Sequence, residues 1–85
     1  MTQFSVAVHV VPRRGILDPQ GKAVADALHS LGFAGVGEVR VGRHLVIRTE
    51  AESAQAAEAA VRRMCEQLLA NPVTEDFELE AVQVA

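Results

Sequence analysis

The stretch Ile16-Leu17-Asp18-Pro19-Gln20-Gly21, closed downstream by Leu31-Gly32-Phe33, decides the fold because it marks both ends of one helix. Asp18 is placed as the N-cap, its carboxylate free to accept from the unpaired amides of the first turn. Pro19 then takes the first helical position, where its fixed φ fits and its missing N–H costs nothing. Val24, Leu28 and Leu31 recur at helical spacing with Ala27 beside them, which predicts one apolar stripe. Gly32 suits the left-handed residue after the last turn, and Phe33 can fold back on Leu28 as a Schellman stop requires.

Outward from this helix the chain alternates strand and helix. In residues 4–10, Phe4, Val6, Val8 and Val10 alternate with Ser5, Ala7 and His9, the period of two of a half-buried strand. Pro12 ends it, and Gly35 and Gly37 make the turn after Phe33. Val39, Val41, Leu45 and Ile47 then share one parity; Glu38, Arg40, His44 and Arg48 share the other. The phase runs unbroken through Gly42-Arg43, which favours one long strand bent or bulged at Gly42, with a hairpin there as the alternative.

Thr49 and Ser53 both qualify as the cap of a second helix, Thr49 by capping-box spacing to Glu52 and Ser53 by standing before the alanine-rich run. Ala57, Val61, Met64 and Leu68 are its expected core stripe, with Glu58–Arg62 and Arg62–Glu66 pairing on the wet side. Asn71 in a left-handed cap, followed by Pro72, is expected to end it. Residues 75–84 read as the last strand, Phe77, Leu79 and Ala81 inward, Asp76, Glu78 and Glu80 outward. The order is β-α-β-α-β. With two helices on one sheet face, it predicts a single α+β domain over residues 1–85, a sandwich related to the ferredoxin-like fold. A long strand overhanging its sheet leaves backbone for a second chain to pair with, so a homodimer or higher oligomer is expected.

Composition bounds the function. Eighty-five residues bury only about 60–65% of their unfolded surface, so help from a partner is in keeping with the size. The net charge of −3 supplies no basic footprint for nucleic acid or an anionic membrane. No apolar run approaches the roughly 20 residues of a membrane span. A single cysteine, Cys65, forbids an internal disulfide and fits a reducing cytosol, and the start of the chain lacks a signal-peptide pattern. A cytoplasmic location is expected.

Few residues suggest chemistry. His9, His29 and His44 have no metal-ligand spacing and are expected at the surface. Cys65 beside Met64 reads as a buried structural thiol. Arg13-Arg14-Gly15 ahead of a helix could meet an anion, but Asp18 already holds that cap and no P-loop is present. Arg40, Arg43 and Arg48 could form a basic stripe, although an exposed face or subunit interface is the simpler reading. Glu78 and Glu80 point the same way, unlike a catalytic carboxylate pair, which needs contrasting environments.

Two segments go beyond generic structure. Gly15-Ile16-Leu17-Asp18-Pro19-Gln20-Gly21 with Leu28-His29-Ser30-Leu31-Gly32-Phe33 is one, and the run from Met64 to Phe77, containing Leu68-Leu69-Ala70-Asn71-Pro72-Val73-Thr74-Glu75-Asp76-Phe77, is the other. With Val39-Arg40-Val41-Gly42-Arg43 between them, the chain resembles the PurS family, the small subunit of phosphoribosylformylglycinamidine synthase, over essentially its whole length. Arg43 departs from the lysine frequent in the family but keeps the charge.

The resemblance implies a non-catalytic subunit that bridges a large synthetase subunit (PurL) and a glutaminase subunit (PurQ). Together they convert formylglycinamide ribonucleotide, ATP and glutamine to formylglycinamidine ribonucleotide in purine biosynthesis, and this chain would aid ammonia transfer. It also implies that this chain holds no cofactor, ATP and magnesium belonging to the synthetase. Asp18, Pro19, Gly21, Gly32, Gly42, Asn71 and Pro72 match the family motif and read mostly as caps and turns. Arg13, Arg14, Arg43 and Glu75 are candidate subunit contacts. A dimeric ACT-like metabolite-binding regulatory domain is the alternative. An RNA-recognition module is disfavoured because Phe4 and Phe77 share the buried parity.

Overall fold

The computed structural model describes residues 1–85. β1 (Thr2–Pro12) is the central strand. β2 (Arg43–Ala51) runs antiparallel along one side of it, with Thr2 opposite Ala51 and Val10 opposite Arg43. On the other side β3 (Glu75–Leu79) and β4 (Gln83–Val84) follow one another, both antiparallel to β1. α1 (Pro19–Ser30) links β1 to β2, and α2 (Ala54–Met64) links β2 to β3, so the expected β-α-β-α-β order stands.

Directly opposed residues share a face, so the register assembles the core. Val6 meets Ile47, Val8 meets Leu45 and Leu79, and Val10 meets Phe77. α2 lays Val61 and Cys65 on that line, and all five of Val6, Val8, Val10, Val61 and Cys65 are fully buried. Phe4, Ala51 and Ala57 close a smaller cluster at the far end, with Val82 packed against both. No polar side chain is buried.

Three details of this layer differ from the sequence pattern. From Val8 to Phe4 is four steps, whereas their partners Leu79 and Val84 are five apart. The extra residue is a bulge that turns the chain over. Val82 therefore points inward and Ala81 is exposed, the reverse of a continuous strand. In α2, Ser53 is the cap, accepting from the Ala56 amide at 3.1 Å, while Thr49 lies within β2. α2 ends in a π-turn (Cys65–Leu69), the Ala70 amide reaching back to the Cys65 carbonyl. That wider turn carries the stripe onto Cys65 and Leu69 instead of Leu68, which is 82% exposed. Asn71 has no left-handed backbone; its side chain accepts from the Val73 amide in an Asx turn.

The larger difference is α1. Its ends are as the sequence requires: Asp18 caps Gly21 at 3.1 Å, Pro19 is the first residue, and Gly32 sits at φ 99°. The Phe33 amide bonds to the Leu28 carbonyl and that of Gly32 to His29, completing the Schellman motif. The helix does not lie on the sheet. It packs against residues 36–41, which return along it, His29 Nε2 bonding to the Val36 carbonyl and the Val41 amide to Asp18.

Helix and return segment thus form an arm, and Val24, Leu31 and Phe33 on it are 42%, 74% and 57% exposed. α2 alone covers the sheet face. The chain measures 51 × 25 × 14 Å, with a radius of gyration of 16.2 Å where about 12 Å is usual for this length.

Gly42 is where the arm rejoins the sheet. The strand begins at Arg43, so the segment preceding Gly42 is neither a hairpin partner nor part of one long strand. A Cβ on Gly42 would be driven into the Val10 carbonyl and the Val11 side chain, whereas one on Gly35 meets open space. Gly42→Ala therefore lowers stability by more than about 1 kcal/mol, and Gly35→Ala leaves it unchanged or raised by about 0.5 kcal/mol. Urea unfolding of the two variants beside the parent chain measures the contrast.

Candidate functional site

Three of the four candidate contact residues gather at one end of the sheet, where Arg43 meets Glu75 and Arg13 meets Asp76. Arg43 leaves β2 opposite Val10 and forks onto Glu75, at 3.0 and 3.1 Å, while also donating to the Leu69 carbonyl at 2.7 Å. Glu75 accepts a further bond from the Asn71 amide at 2.8 Å. The Arg43 hydrogen bonds and the Asn71 amide hold the Glu75 carboxyl below its usual range. Arg13 donates to the Pro72 carbonyl at 2.8 Å and pairs with Asp76 at 3.1 Å. These contacts tie the exit of β1, the entry of β2 and the turn before β3 into one clasp. Arg14 beside them makes no hydrogen bond or ion pair and stays exposed.

The motif residues sort the same way. Asp18 uses both carboxylate oxygens, one on Gly21 and one on Val41 at 3.0 Å, so the helix cap is also the latch of the arm. These two amides hold its carboxyl below the usual range. Gly21 is required because a Cβ would strike the Val39 carbonyl and the Asp18 carboxylate itself. Asn71 and Pro72 build the turn to which Glu75 and Arg13 attach directly and Arg43 through Glu75.

No basic stripe forms. Arg40 bonds to the Pro12 carbonyl and pairs with Glu38, Arg48 reaches Gln3 on the open sheet face, and Arg43 is in the clasp. Cys65 is buried and its thiol is pushed up by desolvation. No three of the His, Cys, Asp and Glu side chains converge as a metal-holding group. One cluster was invisible in sequence spacing: the β1–β2 register sets His9 opposite His44, with Glu80 beside them. The shared outward parity of the two histidines was the available signal; the register was not.

Exposed apolar side chains gather on the arm and at the end of α2. A hollow of about 350 Å³ on the arm is lined by Ile16, Leu17, Lys22, Asp26 and Arg40 among others. Leu17 is 85% exposed at its rim, and Leu68 and Val73 are exposed past α2.

The fold and these surfaces define a small α+β protein with apolar side chains left exposed around a structural clasp. The family model described as PurS, phosphoribosylformylglycinamidine (FGAM) synthase, matches residues 5–83, and the chain belongs to the PurS family. It is 41% identical over 81 residues to the phosphoribosylformylglycinamidine synthase subunit PurS of Bacillus subtilis, covering 95% of each chain. Among solved structures it resembles Thermus thermophilus PurS, at 42% identity and a TM-score of 0.85 over 98% of each chain. It also resembles a chain of the PurLQS structure from Thermotoga maritima, at 32% identity and a TM-score of 0.84, covering 94% of this chain and 98% of that one.

The clasp has a pH signature. A carboxyl lowered on folding contributes stability above its unfolded value, near 4.5 for Glu75, and loses it as the pH falls through the folded value. Glu75→Gln is therefore less stable than the parent at neutral pH, and the deficit shrinks below that value until it vanishes in strong acid. Urea midpoints taken stepwise from neutral to acid pH follow the convergence.

Proposed function

We propose that this chain is the bridging subunit of a phosphoribosylformylglycinamidine synthase, joining a PurL-type synthetase to a PurQ-type glutaminase in the cytoplasm. The complex makes formylglycinamidine ribonucleotide from formylglycinamide ribonucleotide, ATP and glutamine. The chain's part is assembly and the passage of ammonia between the other two, with ATP and magnesium held by the synthetase. No helix is long and apolar enough to cross a membrane.

One observation carries the reading: the chain is built to be covered. Only 11 of 85 residues are buried, and the accessible surface is 5897 Å² where about 4,900 Å² is usual for this mass. The excess of about 1,000 Å² is comparable with the roughly 800 Å² that one partner contributes to a standard interface. The apolar stripe of α1, from Val24 to Leu31 and Phe33, is the part of that surface suited to a second copy. A homodimer or larger oligomer follows.

Glutamine-dependent synthesis by purified synthetase and glutaminase rises sharply when this chain is added; unchanged turnover overturns the bridging role. Arg14→Ala weakens binding to the partner subunits while leaving the fold intact, since Arg14 takes no part in the clasp. Pull-down and circular dichroism separate the two effects. Leu31→Glu shifts the chain toward monomer in sedimentation velocity, whereas a parent chain that is already a stable monomer at micromolar concentration removes the self-association.

A further inference from the structure

The sheet face opposite α2 carries one polar cluster that neither the fold nor the bridging role uses. His9 stands on β1 and His44 directly opposite on β2, their Nδ1 atoms 3.1 Å apart and their rings tilted by 46°. The other nitrogen of His9, Nε2, bonds to the Glu80 carboxylate, and that bond holds the Glu80 carboxyl below its usual range.

The hydrogen positions follow from this chemistry. An ionised carboxylate only accepts, so His9 Nε2 carries the hydrogen, and in the neutral ring His9 Nδ1 presents a bare lone pair. His44 Nδ1 donates to it in turn. If the His44 hydrogen moves to its own Nε2, which bonds to no protein group, two neutral Nδ1 lone pairs are left side by side, 3.1 Å apart. No proton need be released.

We propose that His9 Nδ1 and His44 Nδ1 form a binding site for a divalent transition-metal ion of the zinc type, clipping β1 to β2. Zinc–nitrogen bonds of about 2.0–2.1 Å at a tetrahedral angle place two ligand nitrogens about 3.3 Å apart, close to the spacing already present. Glu80 supplies the carboxylate behind the ligating histidine that orients the ring and raises its basicity, as in carboxylate–histidine–metal arrangements. The bulge in the last strand keeps Glu80 on this face while turning Val82 into the core. Water fills the remaining coordination positions, and Glu78, opposite His9 on β3, adds negative potential.

The test is calorimetric titration of zinc ion into the purified full chain without a histidine tag. One ion binds per chain. His44→Ala, on an exposed edge position, abolishes binding, and so does His9→Ala. Glu80→Gln weakens it by about 10- to 100-fold. His29→Ala and Cys65→Ser leave it unchanged. Zinc raises the melting temperature of the parent and not of His44→Ala. Absence of binding to the parent chain, or binding that survives in folded His44→Ala, overturns the site.

Discussion

Every ladder in this sheet is made with β1. β2 occupies one of its edges, β3 and β4 share the other, and no other pair of strands is joined by a ladder. The first strand of the chain is therefore the one on which all the others are registered, and its buried side chains are the spine of the core. Phe4, Val6, Val8 and Val10 project to the covered face, and the remaining strands set neighbours beside each, Val8 taking one from either flank. A polar residue at Val6 or Val8 would face apolar side chains from both flanks and from α2, with nothing there to bond to.

Around that spine the ends of the molecule are held differently. The clasp is electrostatic and bidentate, with Arg43 and Glu75 fixed by planar geometry and by backbone bonds to Leu69 and Asn71. The arm is latched by one carboxylate shared between a helix N-terminus and a distant amide, with His29 and Arg40 bonding to the Val36 and Pro12 carbonyls. Both devices join segments far apart in sequence, and both use groups that the local pattern already requires. Asp18 is first a cap, and only its second oxygen makes it a latch.

What the sequence discloses follows the range of the forces involved. The ends of α1 were legible because a cap, a proline and a Schellman glycine act within a few residues. Strand parity in β1 was legible because burial alternates with the pleat. The bulge that exchanges Ala81 for Val82 and the π-turn that exchanges Leu68 for Leu69 were not. Each is one residue of slippage set by packing against another element. The apolar stripe of α1 was legible as a stripe, but periodicity cannot tell burial under the same chain from burial under another. The candidate contacts Arg13, Arg43 and Glu75 were legible as charges. That Arg43 answers Glu75 and Arg13 answers Asp76 needed the register, as did the meeting of His9 and His44.

The arm is inserted between two strands that pair with each other. β1 and β2 are thus a hairpin in topology whose connection is residues 13–42 instead of a tight turn. Closing a flexible loop of that length costs about 2 kcal/mol more than closing one of a few residues. The helix at its centre, capped at both ends by its own residues, removes much of that freedom before the strands meet. Contacts between β1 and β3 or β4 span still more of the chain. The molecule therefore belongs with the mixed topologies of high contact order, whose folding rate is governed by bringing remote segments together more than by forming any one of them.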